Sequence, residues 1–259
     1  MIKDEAYTGD SGVSEAIGFV VILGIVITGI AMVTLYGYPA LIQEQQNTNI
    51  KNMQKNMLVL QSDLRSLTAK GVPYQETAIQ VSGGTLMTHN TTSRFTIEID
   101  GVLIEEQVPE ELRFISQDGS TTIVLENGAV NTRYSSDPTG SAMLAQPSWF
   151  YDAPTETYVI HLTRMYGNNL SQTGIGTVKM QLCDPPTTSP PYNIVDKTAK
   201  ITYHADPGED FMIAWKNYLG TPDLQMTNPT ISGRSITYTL NPSADKLVIK
   251  TYNVTIPSL

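Results

Sequence analysis

The chain has 259 residues, a formal net charge of -9 at pH 7 and one cysteine, Cys183. Acidity without any Lys/Arg cluster excludes a nucleic-acid footprint, which needs a basic surface to displace counterions. A lone cysteine excludes an internal disulfide framework, so a domain outside the cell must rest on its β core, on sugars or on neighbouring subunits. Cys183 itself reads as a small hydrophobe in a strand or, alternatively, as a thiol for intermolecular pairing.

Residues 1–12, MIKDEAYTGDSG, form a polar leader whose only basic residue is Lys3. Val13–Leu35 then reads VSEAIGFVVILGIVITGIAMVTL and carries no charge from Ala16 onward. About 20 such residues cross a hydrocarbon core of about 30 Å. The run is too long for a secretory signal's apolar region, and no small-residue cleavage site follows it. A transmembrane or polymerisation helix is therefore expected over 13–42. Gly24 and Thr28 form a small-xxx-small pair that lets helices approach closely. Tyr36 and Tyr38 suit a membrane–water interface. Pro39 predicts a kink or a fresh helix start, because it lacks an N–H and its ring crowds the carbonyl one turn back. Ser14 is a candidate N-cap. Glu15 either sits at the membrane–water boundary beside the helix start or pairs with a neighbouring subunit, since a carboxylate next to an apolar environment is costly alone.

The order of these features is a short hydrophilic leader, Gly12, a carboxylate at Glu15 and a Val/Ile/Gly-rich helix. Over residues 10–45 it resembles the N-termini of archaeal type IV pilins and archaellins. The resemblance implies cleavage between Gly12 and Val13 by a prepilin peptidase on the cytoplasmic side. It also implies that Glu15 pairs with the new α-amino group at Val13 of a neighbour, and that the partners are copies of the chain or other pilin-like subunits.

From Gln43 to Lys70 the apolar residues Ile50, Met53, Met57, Leu60, Leu64 and Leu67 recur at spacings of three and four, with Leu58 widening the stripe. This predicts an amphipathic helix stalk over 43–70, ended by Gly71-Val72-Pro73. Its stripe packs either on the chain's own β domain or on other copies; the Met and Gln content argues against a tight coiled coil.

After Pro73, short β-prone runs alternate with turn clusters, Arg94–Ile99 alternating most cleanly. Turns are predicted at Gly83-Gly84, Asp100-Gly101, Asp118-Gly119, Asn127-Gly128 and Ser232-Gly233. The expected fold is therefore α+β: a long N-terminal helix followed by an all-β, sandwich-like head over 71–259. The proline-rich stretch 184–192, DPPTTSPPY, is either a surface loop or an internal boundary.

Three N-glycosylation sequons start at Asn90, Asn169 and Asn253; Asn228 and Asn241 are excluded by the proline that follows each. Asn90 and Asn169 sit in turn-like contexts, whereas Asn253 follows a strand. No zinc-protease, nucleophile-elbow, P-loop or dinucleotide signature occurs. The acidic stretch His204–Asp210 reads as a turn around Asp206-Pro207-Gly208 more readily than as a Ca²⁺ loop. Trp149-Phe150-Tyr151 and the Trp215/Tyr218 pair read as half-core aromatics or as a binding strip. No enzyme, metal or cofactor is expected. The expectation is a pilin-like structural subunit, with its N-terminus cytoplasmic and its head outside the cell for adhesion or filament formation. The alternative is an uncleaved membrane-anchored ectodomain that binds a ligand or an envelope partner.

Overall fold

The computed structural model describes residues 11–108, 110–135, 140–208 and 210–259, with 11–14 described by backbone alone. Most of the expected leader thus lies outside the described residues. Helix α1 spans Ser11–Met32, a π turn spans Val33–Gly37, and α2 spans Tyr38–Lys70. The kink expected at Pro39 takes the form of that π turn. The Tyr38 N–H bonds to the carbonyl of Val33, five residues back. The wider turn accommodates a proline that cannot donate and whose ring crowds the carbonyl of Leu35. The helix continues through Pro39 instead of breaking.

The chain divides into two compact units, Met1–Asn49 and Ile50–Leu259. The border falls within α2, so the stretch from Ile50 to Lys70 belongs to the head rather than to a separate stalk. Gly71 ends α2 at φ +66°, a conformation glycine adopts without strain.

The head's strands are β1 (Tyr74–Asn90), β2 (Arg94–Ile99), β3 (Val102–Gln107), β4 (Glu110–Ser116), β5 (Thr121–Glu126), β6 (Ala129–Tyr134), β7 (Ser141–Ala145) and β8 (Phe150–Asp152). They continue with β9 (Thr157–Gly167), β10 (Ser171–Leu182), β11 (Thr187–Thr188), β12 (Tyr192–Asn193), β13 (Ala199–His204), helix α3 (Met212–Leu219), β14 (Thr227–Ser232), β15 (Ser235–Thr239) and β16 (Lys246–Ser258). Among the described residues they make two sheets. The first has the order β7-β6-β5-β4-β1-β10-β16-β9-β8, with β11 and β12 added along β16. A bridge between Glu110 of β4 and Met165 of β9 closes β4-β1-β10-β16-β9 into a ring. The second sheet has the order β14-β15-β13-β2-β3. The β-rich head is as expected, but its larger sheet closes on itself where a sandwich would keep two open sheets.

Turn chemistry explains the hairpins. Asp100-Gly101 and Asn127-Gly128 hold φ of 51° and 78°, and 45° and 77°, the paired positive values of a tight two-residue turn. Gly83-Gly84 is not a turn. β1 runs through it and pairs with β10 on both sides of a register break between Val81 and Leu86, while β4 joins its other edge from Gly84 on. A Cβ on Gly84 would overlap the Ile115 carbonyl oxygen and lie 2.5 Å from the Phe114 ring. Bulk is excluded there, not backbone conformation.

The proline-rich stretch is a strap and not a boundary: β11 and β12 both pair with β16. Cys183 is exposed just beyond β10, its Sγ 2.6 Å from the Thr255 hydroxyl, and so is not the strand-interior hydrophobe expected.

Alternation along the strands serves two cores. Tyr158, Ile160 and Leu162 of β9 and Leu247 and Ile249 of β16 pack with the second sheet and with Trp215, Tyr218 and Leu219 of α3. Met165, Val254 and Ile256, on the opposite parity, pack with the α2 stripe. The stripe from Met53 to Leu67 is at most 1% exposed at each of its five apolar positions, with Ile50 at 9%. Each such side chain contributes about 1.5–3 kcal/mol on burial. The stripe therefore docks on the chain's own strands. Leu58, expected to widen it, is 37% exposed.

Candidate functional site

The first unit presents the opposite pattern to the head. No residue from Glu15 to Leu41 is buried, and the helix has an apolar window of mean hydropathy 2.8, long and apolar enough to cross a membrane. From Ala16 to Gln43 the sequence is uncharged. At 1.5 Å per residue that is about 40 Å of helix, longer than a hydrocarbon core of about 30 Å. Exposed apolar area of this extent marks a surface made to be covered by lipid or protein.

The helix also carries little unmet polarity. Thr28 donates its hydroxyl to the carbonyl of Gly24 at 2.7 Å, and Thr34 donates to Ile30 at 2.9 Å. Both hydroxyls are thereby satisfied without water, as an apolar medium requires. Gly18, Gly24 and Gly29 have open space where a Cβ would stand. Along one side, Val21, Gly24, Ile25, Thr28 and Met32 line an apolar groove of about 460 Å³. Tyr36 and Tyr38 are 75% and 62% exposed, at the π turn where the apolar run begins to give way to Gln43-Glu44-Gln45-Gln46.

Gly12 and Val13 lie in the first turn of α1, and Glu15 is the first residue with a described side chain, which is exposed. Asn90 is exposed at the end of β1, while Thr92, the hydroxyl residue of its sequon, donates to Asp206 at 2.7 Å. Asn169 is exposed at φ 50° in the turn between β9 and β10. Asn253 is half-buried in β16, between β9 and β10, with its side-chain oxygen enclosed.

Asp206 is occupied by structural bonds, from the Thr92 N–H at 2.8 Å and the Gly208 N–H at 2.6 Å, so this stretch is the turn the sequence suggested. Glu209 lies outside the described residues. Among those described, no three His, Cys, Asp or Glu side chains group to hold a metal ion. Trp149, Trp215 and Tyr218 are buried core residues; of the Trp149–Tyr151 strip only Phe150, at 47%, is largely exposed.

Two features escaped the sequence. Glu126 is fully buried, accepting from Trp215, Asn131 and Ser93, and burial raises its pKa while these bonds and the Arg113 charge oppose the rise. Nearby on β4, Arg113 and Glu111 form a buried ion pair. His161 sits under α2 with both ring nitrogens enclosed, and its pKa is lowered to about 4 by burial and then by the Lys250 charge. The only sequence signal for Glu126 was its place before Asn127-Gly128, which reads as a solvated strand end.

The model of a family of unknown function, DUF7289, matches residues 12–256. The chain belongs to that family. The match takes in both the apolar helix and the head. No curated protein and no solved structure matches the chain.

Proposed function

We propose that this member of the family is a type IV pilin-like surface subunit, anchored or polymerised through residues 13–42 and displaying its β head outside the cell. The observation that carries the reading is the contrast along one continuous helical segment. Its apolar first part is wholly exposed, and its last part, from Ile50, is locked into the head. A helix that were merely a removable signal would not continue into the core of the mature fold. The family match begins at residue 12, so residues 1–11 of the expected leader lie outside it. Removal of the leader creates an α-amino group at Val13, two residues from Glu15, and the two charges on neighbouring copies would set axial register. The helical backbone at Gly12 and Val13 favours the second reading, an uncleaved anchored ectodomain, because a peptidase must open that turn.

Cys183 supplies the test. It is the chain's sole cysteine and is exposed on the head. A membrane-impermeant maleimide should label it on intact cells; labelling only after lysis would contradict an outward head. Hexose-sized mass on peptides holding Asn90 or Asn169, and none on that holding Asn253, is the accompanying expectation.

A further inference from the structure

The ladder between β1 and β10 lapses at one place. Val81 pairs with Gly174 and Leu86 with Gln172, so the four residues Ser82–Thr85 stand against Thr173 alone. An ordinary β-bulge sets two residues against one, and bulges recur beside active sites. The arch is held in place on both sides. Gly83 sits at φ +67°, and its carbonyl accepts the Gln117 N–H at 2.8 Å. Gly84 lies too close to the Ile115 carbonyl and the Phe114 ring to carry a side chain. On the facing strand, the Gln172 amide donates to the carbonyls of Thr173 at 2.7 Å and Ile175 at 3.1 Å.

Beside the arch lies a hollow of about 560 Å³. Small-molecule sites span about 300–1,000 Å³, and one water occupies about 30 Å³. Val81, Met87 and Ile115 give the hollow its apolar surface, while Thr85, Gln117 and Thr173 bring two hydroxyls and an amide. Gly83 and Gly84 line it with bare backbone, as glycines inside a strand do where another group approaches closely. The Ser116 hydroxyl is already committed, donating to Asp118 at 2.6 Å and accepting the Thr121 N–H at 2.9 Å.

This lining selects by charge and polarity. No charged side chain lines the hollow, so neither a carboxylate nor an ammonium ion finds a counter-charge in it. Asp118, next to Gln117, has its pKa lowered by hydrogen bonds from Ser116 and Ser120; it stays ionised and repels an anion. A wholly apolar ligand would leave the hydroxyls, the amide and the backbone without partners. A neutral ligand with several hydroxyls and apolar C–H faces meets both parts of the lining, because hydroxyls and amides donate and accept alike.

We propose that this hollow binds a neutral saccharide unit. Its hydroxyls meet Thr85, Gln117 and Thr173, and a C–H face rests on Met87 and Ile115. The inference does not rest on the pilin-like reading, since the site is the same in a filament subunit and in a single anchored chain.

The full chain, in a detergent without a sugar headgroup, is titrated by calorimetry with neutral hexose and N-acetylhexosamine oligosaccharides, and with uronate oligosaccharides of equal length. Saturable binding of a neutral oligosaccharide and none of the uronates is the expected result. Gln117→Ala combined with Thr173→Val, both at exposed positions, should weaken that binding at least about tenfold and leave Tm unchanged. No saturable binding of any neutral oligosaccharide, equal binding of the uronates, or unchanged affinity in the double variant overturns the proposal. A structure with the bound oligosaccharide gives the independent readout: sugar against Gln117 supports the site, and sugar elsewhere on the head overturns it.

Discussion

Trp215 donates its indole N–H to Glu126 across 2.6 Å in the interior between the two sheets, and Asn131 donates to the same oxygen at 2.9 Å. A buried carboxyl that accepts from Trp215, Asn131 and Ser93 ties α3 to β5 and β6 in a core that otherwise pairs aromatic rings. Phe95 and Trp215, for example, meet edge to face at 4.6 Å.

Burial raises the Glu126 pKa in the folded chain above its unfolded value. Its contribution to stability is therefore fully present below the unfolded pKa and is lost as pH rises through the folded one. Glu126→Gln keeps an oxygen for the indole and cannot ionise. It should melt near wild type in acid and above wild type at neutral pH. Glu126→Ala leaves the Trp215 and Asn131 donors unpaired and should cost about 2–4 kcal/mol at every pH. Denaturant titrations at three pH values separate the two variants.

The α2 stripe gives the second prediction. Leu60 and Leu64 are at most 1% exposed, so Leu60→Ala or Leu64→Ala should cost about 2–5 kcal/mol. Val59, 49% exposed on the other side of the helix, should tolerate alanine within about 0.5 kcal/mol. Equilibrium unfolding checks both.

His161 should oppose Glu126 in acid. Its folded pKa, about 4, lies below the ordinary value of 6.5. A depressed base supports the fold fully above its unfolded pKa and withdraws that support as pH falls toward 4. His161→Phe, placed among the rings of Phe150 and Tyr252, should lose that acid-side decline. Hydrogen exchange across Ile50–Leu67 between pH 7 and pH 4 reads the effect where the helix docks.

Gly84→Ala should destabilise the head by about 1–3 kcal/mol, because its methyl group meets the Ile115 carbonyl and the Phe114 ring. Gly18→Ala, with open space at its Cβ, should leave thermal unfolding of the head unchanged.

Much of this plan was legible because local rules and tertiary structure agree. The three-four spacing of Ile50 to Leu67 named the buried face of α2, and Asp100-Gly101 and Asn127-Gly128 named their hairpins. The sequence could not say which surface the stripe would meet, since an apolar stripe fits any apolar partner. Gly83-Gly84 misled because glycine serves close approach as well as turning. Ring closure through Glu110 and Met165 depends on a pairing between strands far apart in sequence, for which no local pattern exists. Glu126 and His161 were invisible for a related reason: each sits at an ordinary strand position, and only the elements folded over it remove the water.

The most direct test of the account is the intact mass and N-terminal sequence of the protein recovered from its native membrane or surface fraction. A chain beginning at Val13, with the helix retained, is the predicted result and directs the search to filaments. A chain beginning at Met1 would contradict prepilin-type processing and leave a membrane-anchored ectodomain.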